Sequence, residues 1–412
     1  MCPEKNDKLM NPEQILARMK KILVITSGGD CPGMNQAVMS IVRTAMRYGV
    51  TVLGAVGGYA GIALAEEKPN EKYLGLDLIE LDLKTVLPFQ DQPGTFLGTA
   101  RCEEFKDDPS IRKRAAELLK RVGVDGVIII GGDGSYQGAN YLCQLGVPCI
   151  GIPGTIDNDM GYTEKTLGFD TAVSNCIDAL RAVRATSCSH SRAHLIETMG
   201  RKSGNIAAAV AASAADIVMV PEKQREIDEL AETLKRLAAD GNTCPVIVAA
   251  EGCWKEWDKL LDYDVAGDLN PEEKAKKNAA IAKAAQETDP EKKKQLEMDA
   301  KQLEITPEGT AMKAEYFARI LEKKSGVPVR HTVVGYTQRG AVPVASDCLF
   351  ANMAGIMAVQ LLLEDRPEDE KKVAIGIRNG ELFTMPFAEV VELNGKLNQK
   401  MYEAALLKEA RP

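Results

Sequence analysis

Three short apolar runs in this chain each stop at a glycine turn, and that pattern leaves few folds open. Residues 21–26 (KILVIT) lead into Ser27-Gly28-Gly29-Asp30, and residues 126–130 (GVIII) into Gly131-Gly132-Asp133-Gly134-Ser135. Residues 149–152 (CIGI) lead into Pro153-Gly154-Thr155-Ile156-Asp157-Asn158-Asp159. Runs this short, β-branched and unbroken suit strands covered on both faces. A helical pattern at 34–47 follows the first turn, and further strands are expected at 51–56, 193–197, 217–220, 246–250, 330–335 and 373–377. Strands alternating with helices predict an α/β chain with doubly wound parallel sheets. The length of 412 residues allows roughly two or three domains.

Composition narrows the chemistry. The formal net charge of −8 argues against broad nucleic-acid binding. No run of about 18 apolar residues predicts a membrane span. The first residues, MCPEKNDKLMNPEQ, lack the apolar stretch of a secretory signal, so a cytoplasmic location is expected. Ten scattered cysteines form no C-x-x-C pair and are expected to be mostly reduced core residues. With three histidines, His190, His194 and His331, a histidine-rich metal site is not expected. Residues 254–303 are rich in Lys, Glu, Asp and Ala, with Pro271 and Pro290 just after capping residues. They read as inserted, exposed helices.

Ligands of open α/β sheets bind beyond the carboxyl ends of the strands, where glycine lets backbone N–H groups approach phosphate. No P-loop and no G-x-G-x-x-G fingerprint is present. The candidates are therefore carboxylates, glycine turns and arginines. Asp133 suits Mg²⁺ held on phosphates. Asp157 and Asp159, beside Thr155, suit proton abstraction from a hydroxyl next to bound phosphate, or else they cap the following helix. Arg101, Arg192, Arg201, Arg330 and Arg339 lie in polar or glycine-rich turns, where a guanidinium either grips phosphate or makes a surface salt bridge. Glu251 closes an apolar strand and either accepts from sugar hydroxyls or caps a helix.

Six blocks in order then carry a resemblance. They are TSGGDCPGMN at 26–35, GTFLGTAR at 94–101, GGDGS at 131–135, PGTIDND at 153–159, MGR at 199–201 and GYTQRG at 335–340. Together they resemble the 6-phosphofructokinase family from about residue 20 to 390, apart from the insert. The resemblance implies two Rossmann-like lobes with the active site between them, and Mg²⁺-dependent phosphoryl transfer to the 1-hydroxyl of fructose 6-phosphate. It makes Asp157 the general base, with Thr155 and Asp159 completing its loop. Asp133 holds the metal, Gly29 donates backbone N–H to the transferring group, and Arg101 and Arg201 stabilise charge. Tyr59, Cys102, Gly132, Gly134 and Ser135 line the donor. Ile156, Met199, Gly200, Arg201, Glu251 and Tyr336 hold the sugar. Arg339 binds the 6-phosphate from the same subunit, and Arg192 and Arg330 from a neighbour, so a homo-oligomer, a tetramer or a dimer, is implied.

The lobes implied are 21–160 with part of the C-terminal region for the donor, and 161–253 with 304–350 for fructose 6-phosphate. Residues 1–20 form an extension, 254–303 the insert, and 351–412 complete the lobes. Gly134 leaves room for the α-phosphate of ATP, and Gly154 stands where pyrophosphate users carry lysine, so ATP is the expected donor. Cys102 for an aromatic residue, Tyr336 for histidine, and Met39, Asp240 and Asn242 at effector positions depart from the short bacterial pattern, although Arg43 and Arg184 remain. A pyrophosphate-dependent enzyme and a non-catalytic family member are the alternatives.

Overall fold

The computed structural model describes residues 20–64, 78–254, 282–283, 285, 292–293, 313–393 and 395–409. In chain order the strands are β1 (Lys21–Thr26), β2 (Thr51–Ala55), β3 (Leu78–Leu81), β4 (Gly126–Gly131), β5 (Cys149–Pro153), β6 (Ala193–Thr198), β7 (Ile217–Met219), β8 (Val246–Ala250), β9 (Val329–Val333), β10 (Lys372–Arg378) and β11 (Glu381–Pro386). The helices that position the site are α1 (Met34–Arg47), α2 (Asp133–Gln144), α3 (Phe169–Ser189), α4 (Asn205–Ser213), α5 (Lys313–Ser325) and α6 (Ala345–Leu363). Two units result, 1–175 with 336–396 and 176–335 with 397–412. The N-terminal extension, except Lys20, and most of the 254–303 insert lie outside the described residues.

Unit 1 is a seven-stranded sheet in the order β11-β10-β5-β4-β1-β2-β3. Its five central strands are parallel, while β3 and β11 run antiparallel at the two edges. The expected strands are all present, and the two edge strands are additions to them. β3 is four residues long and shows no alternation for a sequence pattern to catch. β11 turns back on β10 through Asn379-Gly380, both at positive φ (53° and 80°). That is the dipeptide a two-residue hairpin favours.

The central strands are apolar because both faces are covered. Ile22, Leu23, Val24, Ile25 and residues 127–130 are fully buried. α1 packs on α6, where the Ser40 hydroxyl donates to the Asn352 carbonyl at 2.8 Å. By composition α6 is long and apolar enough to cross a membrane, but 56% of its apolar stretch is buried inside the protein. The Asp347 carboxylate is buried at the start of α6. It accepts from the Gly168 and Thr171 amides (3.0 and 2.9 Å) and from the Thr171 hydroxyl (2.5 Å), satisfying the first turn of α3.

Unit 2 is a parallel four-stranded sheet in the order β7-β8-β6-β9. Most described cysteines are reduced, as expected, while Cys188 and Cys244 form a disulfide. They precede β6 and β8, which are neighbours in parallel register (His194 opposite Val246). That pairing brings their amino ends together, with 4.8 Å between the two Cα atoms. The other described cysteines are free, and Cys31, Cys143, Cys149, Cys176 and Cys253 are buried. Burial pushes the Cys31, Cys149, Cys176 and Cys253 thiols up.

His194 is 5% exposed in β6. Its ring nitrogens meet the Ser187 hydroxyl at 3.1 Å and the Thr332 hydroxyl at 2.8 Å. Burial, reinforced by the nearby Arg192 charge, lowers its pKa to about 4. The unfolded chain therefore binds a proton that the folded chain refuses between about pH 6.5 and 4. Unfolding free energy falls as pH drops through that window, by about 3 kcal/mol in all. Denaturant titrations across it should show this loss, and His194→Gln should flatten the slope.

Candidate active site

β1 has β2 on one side and β4 on the other. The chain leaves β1 through α1 to reach β2 and returns later to β4, so the strand order reverses between β1 and β4. Such a switch point opens a crevice at the carboxyl ends of the strands. Gly28-Gly29 and Gly131–Gly134 stand at these ends. Gly28 and Gly33 take positive φ (88° and 93°), as the turn from β1 into α1 requires.

The turns interlock. A Cβ on Gly131 would meet the Ser27 carbonyl at 2.5 Å, and one on Gly154 would press the Gly131 amide nitrogen at 3.2 Å and Ile130 at 3.1 Å. Asn35 and Thr26 bind the 94–101 segment against β1. The Phe96 amide donates to the Asn35 side chain at 2.9 Å, and the Thr26 hydroxyl donates to the Gly98 carbonyl at 2.9 Å. Thr99 donates to the Gly28 carbonyl at 2.8 Å. Arg101 ends this segment, exposed, and Cys102 follows it, half-buried.

Asp133 opens α2 beside the Thr155 loop, and its pKa is raised to about 6 by desolvation and by the Asp159 charge. A carboxyl group held up in this way beside a second carboxylate is suited to a divalent cation. Among the described residues no group of three or more His, Cys, Asp or Glu side chains could hold a metal. Mg²⁺ takes one or two carboxylates and draws its other ligands from water and phosphate, a demand that Asp133 beside Asp159 suits. The Ser135 Oγ is buried and makes no hydrogen bond among the described residues, and it lies 3.4 Å from where a Gly28 Cβ would be. Space beyond Gly134 is open, and among the described residues an added Cβ would meet nothing within 4 Å outside its own helix turn.

The 153–159 loop is shaped by its own side chains. The Asp157 amide donates to the Thr155 hydroxyl at 3.2 Å, and Thr166 donates to the Thr155 carbonyl at 2.6 Å. Asn158 sits at φ 46° and accepts from the Thr166 amide at 2.9 Å. The next helix, α3, starts only at Phe169, and its first turn is served by Asp347. Ile156 is fully buried.

Other candidates in unit 1 are placed differently from one another. Tyr59 is 5% exposed, donates to the Ser135 carbonyl at 2.6 Å and stacks on Phe105 at 4.6 Å. It supports the GGDGS loop from below. Tyr336 is 81% exposed. The Arg339 guanidinium lies over Gly29 and donates to the Asp30 carbonyl at 2.7 Å.

In unit 2 the candidates fall at opposite ends of the sheet. Met199-Gly200-Arg201 leaves the carboxyl end of β6, and Glu251 leaves that of β8. The Gly252 amide donates to the Gly200 carbonyl at 3.1 Å. Arg192 precedes β6, and Arg330 lies opposite His194 in β9, so both stand at the amino end. The Arg192 Nε is buried without a hydrogen bond among the described residues, while Arg330 pairs with Glu322 at 3.1 Å. The expected effector positions are also occupied internally. Asp216 pairs with Arg184 at 2.6 Å and accepts from Asn242 at 3.2 Å, and Met39 is buried in α1.

Sequence reasoning passed over Glu197, Trp254 and Asp347. The available signal was a carboxylate inside an otherwise apolar element, a placement rare unless the group is partnered.

A phosphofructokinase family model matches residues 21–362. The ATP-dependent 6-phosphofructokinase of Clostridium tetani is 37% identical over 388 residues, covering 94% of this chain and 98% of its own. A phosphofructokinase structure from Saccharomyces cerevisiae matches at TM-score 0.66 and 27% identity, over 95% of this chain and 47% of that one. A pyrophosphate-dependent phosphofructokinase from Marinobacter aquaeolei shares the fold at TM-score 0.68 and 19% identity, over 95% of this chain and 92% of that one. Fold and relatives together define the class, an α/β phosphotransferase. The chain belongs to the phosphofructokinase family.

The glycine contacts separate packing from ligand room. Gly131→Ala should destabilise unit 1 by roughly 1–3 kcal/mol, because backbone blocks the added methyl. Gly134→Ala should leave the melting temperature nearly unchanged. Thermal melts of the two variants check the contrast.

Proposed function

We propose that this protein is an ATP-dependent 6-phosphofructokinase, moving the γ-phosphoryl group of ATP to the 1-hydroxyl of fructose 6-phosphate in cytoplasmic glycolysis. The carrying observation is the interlocked set of glycine turns at the switch point of unit 1, with Asp133 and Asp159 close enough to perturb each other. In this reading unit 1 takes the donor. Open space beyond Gly134 favours a donor with a further phosphate, as does the name of the Clostridium tetani relative. A lysine at position 154 would crowd Ile130 and the Gly131 backbone, which supports the same donor.

Asp157 takes the proton of the sugar 1-hydroxyl as the oxygen attacks. Thr155 and Asp159 shape its loop, and the Gly29 amide holds the transferring group. Arg101 and Arg201 neutralise charge that develops on its oxygens. Asp133 would hold Mg²⁺, which when bound offsets phosphate charge. Tyr59, Cys102, Gly132 and Ser135 shape the donor side. Ile156, Met199, Gly200, Glu251, Tyr336 and Arg339 hold the sugar phosphate.

Along the sheet, at about 3.3 Å per residue, Arg192 stands about 23 Å and Arg330 about 17 Å from Met199. Those distances support their service to the site of a neighbouring subunit. An uncovered apolar stripe on α6, Leu349, Met353 and Ile356, also suits a homo-oligomer.

Two experiments test the reading. With fructose 6-phosphate and Mg²⁺, ATP should yield fructose 1,6-bisphosphate and pyrophosphate should not, while Gly134→Asp should suppress the use of ATP. Faster turnover with pyrophosphate would reverse the donor assignment, and no turnover with either would favour a non-catalytic role. Separately, Asp157→Ser and an Arg192→Ala/Arg330→Ala double variant should each be nearly inactive, yet regain activity when their subunits are mixed. Absence of recovery would sink the shared site.

A further inference from the structure

β6 is buried on both faces, yet its fifth residue is Glu197, only 7% exposed. Its carboxylate accepts the indole N–H of Trp254 at 2.6 Å. Trp254 is 5% exposed, and its ring lies 5.2 Å from that of Phe317 on α5. A hydrogen bond to a charged acceptor is among the stronger ones available in a protein. Burying the carboxylate is nonetheless costly, and a well-packed apolar pair would hold the same elements about as well. Stability alone is therefore a poor reason for this pair.

Its position supplies a better one. Glu197 is two residues before Met199, and Trp254 is three after Glu251. The bond thus joins the roots of the two segments assigned to the sugar. Close by, Gly252 donates to the Gly200 carbonyl at 3.1 Å. A Cβ on Gly252 would meet that carbonyl oxygen at 2.7 Å and the Arg201 carbonyl oxygen at 2.6 Å. Gly200 itself turns through φ 129°. The Glu197 carbonyl also accepts from the Val334 amide at 3.0 Å, at the exit of β9. Backbone contact brings the two segments together, and the side-chain bond ties their roots.

We propose that Glu197 and Trp254 are positioning residues for fructose 6-phosphate, acting through Met199–Arg201 and Glu251 to set sugar affinity. The inference rests on the assignment of those segments to the sugar phosphate.

Steady-state kinetics of the full-length enzyme test it. Trp254→Phe keeps a ring and removes the donor. It should raise KM for fructose 6-phosphate about tenfold while leaving KM for ATP and kcat within twofold. Glu197→Gln keeps an acceptor without its charge and should raise the same KM two- to threefold. Glu251→Gln serves as the control on the underlying assignment. If it raises the sugar KM while Trp254→Phe and Glu197→Gln do not, the positioning role is wrong and the sugar site stands. If Glu251→Gln leaves the sugar KM unchanged, the sugar assignment itself falls. Loss of kcat and of both affinities in step with melting temperature would mark the pair as merely structural. Should Trp254→Phe fail to fold, Glu197→Gln decides alone, and an unchanged sugar KM then overturns the proposal.

Discussion

Backbone lies against backbone where β1, β4 and β5 end, and the rest of unit 1 is arranged around that contact. Gly131 faces the Ser27 carbonyl, and Gly154 faces the Gly131 amide. Any side chain at these points would force the strand ends apart. The contact explains why glycine recurs in three turns distant in sequence. It also explains how Asp133 and Asp159, which belong to different turns, come to share an electrostatic neighbourhood. Asn35, Thr26 and Thr99 extend the arrangement outward by binding the 94–101 segment onto it.

Unit 2 obeys a different constraint, the polarity of a parallel sheet. All its strands begin at one edge and finish at the other, so a residue before β6 and a residue after it are separated by the length of the strand. Arg192 and Met199 are divided in this way. The carboxyl edge gathers Met199, Arg201 and Glu251, while the amino edge collects Arg192, Arg330 and the disulfide. Asp216 lies toward that amino edge and engages Arg184, Asn242 and the Val246 amide. A cation read from the sequence as available for ligand is there already bound to a carboxylate.

The sheet cores were legible because their strands are apolar without interruption, and the glycine turns because glycine has few other uses at a strand end. β3 was not legible, since four residues at an edge carry no period. β11 could have been read from Asn379-Gly380, but the Glu381–Pro386 strand is only partly buried and shows no continuous apolar signal. The aspartates of the 153–159 loop looked equally like helix caps until Asp347, 179 residues beyond Gly168, proved to serve the next helix. A carboxylate inside an apolar element marks one member of such a pair, but partners so remote in sequence cannot be matched from local pattern. The same holds for Cys188 with Cys244 and for Glu197 with Trp254.

The Cys188–Cys244 bond turns 56 residues of unit 2 into a closed ring. Cross-linking acts mainly on the unfolded chain, whose freedom it cuts by an amount worth about 4 kcal/mol for a loop of this size. The ring contains β6, α4 and β7 and stops just before β8. Its closure therefore limits how far the strand carrying Met199 can drift from the strand carrying Glu251 when the sheet has melted. Unit 2 thus keeps a covalent memory of its strand order, and how well it recovers from unfolding depends on the thiol–disulfide balance of its surroundings.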